Sequence, residues 1–309
     1  MEIRKIHLGL SNLIVSMLTN IVVSDLNKLS FEDEQQEMLW EEIAADNDFK
    51  ELISQAVTEA LAIGECYFKI GFSEAVSKYP IIELVPADNV EHDTIRGRIV
   101  TNKFYTYYDV DGKTYVLEEI YGKGFIKYKL FEQMSGKEVR LNLLEQTKYL
   151  SDIEFDSNIN LSVGFKIFNS TKFPGRGASV FDTKEDALDS LDEIYSQWME
   201  SIRAARTKTY IPEGLIPRNS DGGYLMKPNP FDNKFIKIEN DSIENGNNKV
   251  ITETPAIQTN DMQAAYVTAL DACLQGLISP STLGIDVKKL DNAESQREKE
   301  KATLYTRGL

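Results

Sequence analysis

Apolar residues recur at helical spacing near the N-terminus and in two later stretches, with strand spacing between them. Residues 8 to 23 read as an amphipathic helix. Ser11, Asn12, Ser16, Thr19 and Asn20 interrupt its apolar run, which is also too short to span a bilayer. No small-residue cleavage site follows, so no signal peptide is expected. Ser30 is expected to cap an acidic helix from Phe31 to Ala45, with Met38, Leu39, Trp40 and Ile43 as its few apolar contacts and its acids as a solvated face. Asn47-Asp48 is expected to cap a third helix, Phe49 to Ile63. It would turn Phe49, Leu52, Ile53, Ala56 and Ala60 inward and end at Gly64.

From Cys66 the period changes to two. Strands are expected at Tyr67–Ile70, Ile81–Val85, Phe104–Val110, Lys113–Ile120 and Phe125–Phe131, with turns at Asp111-Gly112, Gly122-Lys123-Gly124 and Ser135-Gly136. The result is an antiparallel meander rich in tyrosine: Tyr105, Tyr107, Tyr108, Tyr115, Tyr121 and Tyr128. Residues 140–160 carry no clear pattern, and Ser162–Ser170 reads as one more strand.

A long amphipathic helix follows Asp182, which with Glu185 forms a capping-box pattern. Ala187, Leu188, Leu191, Ile194, Tyr195, Trp198 and Ile202 share one face, with acids early and Arg203 and Arg206 late, as the helix dipole favours. A second helix opens at Thr259-Asn260, with Met262, Tyr266, Leu270, Cys273, Leu274 and Leu277 as its stripe and Pro280 as its stop. Between them lies a breaker-rich insert. Its β-prone runs are Thr209–Ile211, Tyr224–Met226, Phe235–Glu239 and Val250–Thr252. A charged helical segment, Ala293–Thr306, comes last.

This order resembles the portal proteins, or head–tail connectors, of tailed phages, of the type found in phages of Gram-positive bacteria. The resemblance is carried by Phe173-Pro174-Gly175-Arg176-Gly177-Ala178-Ser179-Val180-Phe181 before the first long helix, Ile211-Pro212 after it, and Gly276-Leu277-Ile278-Ser279-Pro280-Ser281-Thr282-Leu283-Gly284 after the second. In the N-terminal half, Ala60 to Lys69 and the Ile82–Pro86 strand also match in texture. The resemblance implies an α+β fold. A mixed helix and antiparallel-sheet wing would occupy residues 1–180. Two stem helices, 181–206 and 258–278, would flank a small β-rich clip, 207–257. A channel-type loop and the start of a long helix would fill 279–309, and the family pattern continues beyond that point.

The implied function is structural. A homo-oligomeric ring of twelve subunits at one capsid vertex of the virion would pass double-stranded DNA during packaging and ejection. It would dock the terminase motor and the head-completion and capsid proteins. The subunit would have no catalytic site, cofactor, metal or membrane contact, and would assemble in the host cytoplasm. Ser281, Thr282, Lys288 and Lys289 are the candidates for the DNA channel. Tyr224, Met226, Lys227 and Phe235, in the clip, are the candidates for terminase or connector contact.

Composition narrows the alternatives. A chain of 309 residues, 42% hydrophobic and 27% charged, can hold two or three domains. Its net charge of -15 argues against a broad phosphate-gripping surface, yet an acidic lining would let DNA slide without sticking. Two cysteines, Cys66 and Cys273, suggest no disulfide framework and a reducing compartment. His7 and His92, the latter in an expected polar loop, lack partners at ligand spacing. Asp109-Val110-Asp111-Gly112 lacks the spacing of a calcium loop and reads as a hairpin turn. Gly175-Arg176-Gly177 lacks the rest of a phosphate-binding loop and reads as a flexible hinge. The tyrosine-rich sheet would stack bases only with a basic groove, which Lys123, Lys127 and Lys129 alone do not make. Two further functions stay open: a carbohydrate-acting hydrolase using paired carboxylates, and a protein-binding adaptor that forms no ring.

Overall fold

The computed structural model describes residues 4–73, 76–156, 158–216, 219–223, 235–238, 250–256, 258–280 and 283. The fold is α+β. It divides into two units, one of Gly9–Lys184 with Gln275–Leu309 and one of Met1–Leu8 with Glu185–Leu274.

The larger unit begins with α1 (Leu10–Asp25), α2 (Glu34–Asp46) and α3 (Phe49–Ala62). α1 buries Leu10, Ile14, Val15 and Leu18, and α3 buries Ala56, Val57, Ala60 and Leu61. The two helices touch through the hydroxyls of Thr19 and Thr58, 3.2 Å apart. Ala56 and Ala60 are buried as expected and Phe49, Leu52 and Ile53 half-buried, while Val57 and Leu61 join the buried face. α2 buries no residue at all. Its cap is not Ser30 but Asp33, whose carboxylate accepts from the Gln35 N–H at 2.9 Å. An acidic cap also suits the positive end of the helix dipole. Asn47 and Asp48 do not cap α3 with their side chains. Asn47 instead bonds the Ile43 and Pro80 carbonyls and the Ile82 N–H, tying the α2–α3 junction to the sheet.

The strands of this unit are β1 (Glu65–Gly71), β2 (Ile81–Pro86), β3 (Val90–Ile95), β4 (Arg98–Val110), β5 (Lys113–Gly122), β6 (Phe125–Glu132), β7 (Lys137–Val139), β8 (Ile153–Glu154), β9 (Ser162–Lys166), β10 (Phe168–Asn169) and β11 (Gly177–Ala178). One sheet runs β3-β4-β5-β6-β7, with β8 also on β6; a second runs β2-β1-β9; β10 and β11 form a two-stranded ribbon. All of these pairings are antiparallel. The Asp111-Gly112 turn has φ of 51° and 73°, the left-handed pair that matches strand twist in a two-residue hairpin.

Alternation places Phe104, Tyr121 and Ile126 in one core with Tyr67 and Val90. Leu117, Leu130 and Leu144 form a second core nearby. β3 was expected as a polar loop. It is an edge strand, paired with β4 alone among the described residues, so Glu91, His92 and Asp93 are tolerated there without apolar alternation. The stretch expected as one strand over Ser162–Ser170 is two, because β9 pairs with β1 while β10 pairs with β11. Residues 140–160 supply a 3-10 turn at Leu141–Leu143, strand β8 and the buried Thr147.

The smaller unit holds α4 (Glu185–Ala204), β12 (Lys208–Pro212), β13 (Phe235–Ile238), β14 (Ile251–Glu253) and α5 (Thr259–Leu274). Its sheet runs β13-β12-β14, parallel between β12 and β13 and antiparallel between β12 and β14. α5 stops at Leu274, short of Pro280. Gly276, at φ 79°, turns the chain out of the helix first and leaves Leu277 outside it.

Candidate functional site

The two long helices meet through aromatic rings. Tyr195 and Trp198 on α4 each place a ring centroid 6.0 Å from that of Tyr266 on α5. Leu191 and Leu270 are buried on the two helices, as their stripes predicted. The strands that follow α4 and precede α5 close on each other. Lys208 pairs with Glu253 and Tyr210 with Ile251, and the hydroxyls of Thr207 and Thr254 lie 3.0 Å apart. The end of α4 and the start of α5 are thereby held together at the base of one β module, so the helices run antiparallel.

An N-terminal arm lies along α4. The Ile6 N–H donates to Ser196 Oγ at 2.9 Å and the Leu8 N–H to Asp192 Oδ1 at 3.0 Å, while His7 Nδ1 sits 2.8 Å from Asp192 Oδ2. Nothing in the sequence pattern of residues 1–8 announces this role, since three polar contacts to one helix leave no periodicity.

Of the candidate contact residues, Phe235 opens β13, where Thr209 is its backbone partner. Tyr224, Met226, Lys227, Ser281, Thr282, Lys288 and Lys289 lie outside the described residues, as does the Ala293–Thr306 segment.

Gly175-Arg176-Gly177 is neither a hinge nor a phosphate cradle. Glu65, almost fully buried at the start of β1, takes the Arg176 guanidinium on Oε1 and the Gly177 N–H on Oε2 at 2.6 Å. A Cβ on Gly177 would collide with the Gly64 carbonyl, so glycine is required by the close approach. The Arg176 charge is spent on Glu65 rather than offered to a ligand. Burial, reinforced by Glu65, pushes the Tyr67 phenol up to about 12. His92, on β3, is half-buried. Burial, and then Arg176, holds its imidazole below the usual range, and its Nδ1 has no partner among the described residues. A cavity of about 300 Å³ beside this cluster is lined by Tyr67, Asn102, Ser162, Gly164 and Lys166.

A second buried ionic cluster joins the two main sheets. Lys69 of β1 reaches Glu119 of β5 and, at 3.2 Å, Glu83 of β2. Burial works against its charge, but the two carboxylates outweigh it and hold the ammonium above its ordinary pKa. Glu119 is shifted upward, chiefly by burial, with Lys69 opposing. Glu119 shares the inward parity of Leu117 and Tyr121, and that parity was the one sequence signal for this cluster. Glu83 and Glu119 converge on the Lys69 ammonium and line neither the cavity above nor the one among Val23, Ala44 and Phe49.

The tyrosines do not form a stacking face. Tyr108, Tyr115, Tyr121 and Tyr128 point into the cores, while Tyr107 is exposed and the Tyr105 hydroxyl donates to Glu91 and Glu118. Among the described residues no group of His, Cys, Asp or Glu could hold a metal ion, and no helix is long and apolar enough to cross a membrane. No protein-family model and no curated protein matches the chain.

Proposed function

We propose that the chain is one subunit of a tailed-phage portal ring, through which double-stranded DNA enters and leaves the capsid. The observation that carries this reading is the antiparallel helix pair whose intervening segment closes into a β module at Thr207 and Thr254. In this reading α4 and α5 are the stem, the β12–β14 module is the clip that meets terminase and head-completion proteins, and the larger unit is the wing. A rigid helix pair suits a wall that must hold its shape against passing DNA. The net charge of -15 suits a channel that repels phosphates rather than binding them. Lys288 and Lys289 would be sparse phosphate contacts, Ser281 and Thr282 polar lining. The subunit contributes shape and docking, and chemistry belongs to the motor.

The test is the solution mass of the purified chain together with negative-stain images of the same fraction. Closed rings with a central hole wide enough for a duplex are expected. A uniform monomer at all concentrations would refute the reading.

A further inference from the structure

The tip of the β3–β4 hairpin stands free. Every residue from Asp93 to Val100 is exposed, including Ile95 at 63%, Ile99 at 41% and Val100 at 39%. Arg96 and Gly97 make the turn at φ 52° and 75°, and Arg98 follows. Among the described residues no ion pair engages either arginine. Lys103 is paired with Asp93 at 3.1 Å, which leaves Arg96 and Arg98 as the cations the tip presents. Ile95 pairs with Arg98 and shares its face with Val100, while Ile99 takes the other face and lines the cavity beside Tyr67. Exposed aliphatic side chains beside an unpaired guanidinium form a surface that gains by being covered.

A surface of the opposite sign lies elsewhere on the same unit. α2 turns Glu37, Trp40, Ile43 and Ala44 half inward, with the Trp40 ring edge-on to Phe49 at 4.9 Å. Its outer side presents Met38, 59% exposed, and Leu39, 52% exposed, and Leu26 and Leu29 are equally open just before it. Between Leu29 and Phe49 there are eight acids and no lysine or arginine. Lys28 pairs with Glu41 at 3.3 Å.

We propose that these two surfaces bind each other between copies of the chain, the basic hairpin of one protomer seating on the acidic outer side of α2 of the next. Each copy carries both halves in different places, so the contact is head-to-tail, the kind that propagates and closes into a ring when the rotation permits. Both surfaces carry exposed apolar side chains together with charges of opposite sign, the combination that gives affinity and register together. Copies carrying a net charge of -15 repel at long range, so association requires a local patch where the signs differ. This inference rests on the ring reading and names the surface that builds the ring.

The test uses the full chain in three variants: R96E/R98E, E34K/E41K and the two combined. Their mass is followed against concentration by light scattering, with circular dichroism as the check on folding. Each reversal alone is expected to weaken association by about tenfold or more, and the combined charge swap to restore it. A purely structural role for these residues would not produce that recovery. If rings form and neither reversal affects them, the docking surface is wrong and the ring reading stands. If the unaltered chain forms only small oligomers that the reversals dissociate, the surface is right and the ring reading fails. A monomer under all conditions overturns both. Loss of DNA binding in R96E/R98E with assembly unchanged overturns the docking surface in favour of a nucleic-acid contact.

Discussion

Arg176 and Glu65 form an ion pair that joins the segment before α4 to the first residue of β1, with the Gly177 N–H completing the carboxylate's coordination. Glu65 is buried, so removing its partner strands a charge away from water. Arg176→Met is expected to cost about 3–5 kcal/mol, while the double change Arg176→Met with Glu65→Gln should recover part of it. Urea unfolding of the unaltered chain, the single variant and the double variant measures both. Equal loss in the single and double variants would mean the pair is not coupled.

Gly177 predicts a steric effect at the same place. Gly177→Ala drives a methyl into the Gly64 carbonyl and should destabilise by about 1–3 kcal/mol. Gly175→Ala meets no atom within 4 Å but must hold φ 87°, and should cost about 1 kcal/mol. Thermal melting of the two variants ranks them, and the reverse order would contradict the packing described.

Alkaline pH should unfold the larger unit. Lys69 is held above its ordinary pKa by Glu119 and Glu83 against burial, and burial pushes Tyr67 and Tyr128 up to about 12. All three keep their protons longer in the folded chain than in the unfolded one. The unfolded state therefore loses protons first as pH rises, and unfolding becomes easier. This stabilisation is whole below about pH 10 and is lost through about pH 12. Denaturant midpoints measured across that window should fall; a flat or rising profile would show that these groups are not buried as described.

The thiols should be silent in the native state. Cys66 and Cys273 are both buried, and burial, with Glu59 and Glu65 beside it, pushes Cys66 up to about 12. A thiol reagent at about pH 8 should titrate neither until denaturant is added, and then both. Rapid native labelling at Cys66 would mean that the α3–β1 junction opens.

Packing of the helix pair is testable at Leu191, 1% exposed on α4. Leu191→Ala should destabilise the smaller unit by about 2–5 kcal/mol and change the fluorescence of Trp198, which lies on the same face. A loss under about 0.5 kcal/mol would contradict burial at this site.

The element types were set largely by local pattern. Helical spacing through Leu191, Tyr195 and Trp198, the Asp111-Gly112 turn, and alternation through β4, β5 and β6 all depend on neighbours within a few residues, and each survives in the structure. Tertiary structure decided what spacing cannot express. His92 and its polar neighbours became a strand because a partner edge was available at β4. Gly175-Arg176-Gly177 became a locked packing point because Glu65 and Gly64 arrive there from more than a hundred residues away. Lys69 and Glu119 could be buried only because the second sheet brings each its counter-charge. Periodicity encodes which face a side chain takes, whereas the identity of what lies opposite that face depends on chain closure over long separations, and a linear pattern carries no record of it.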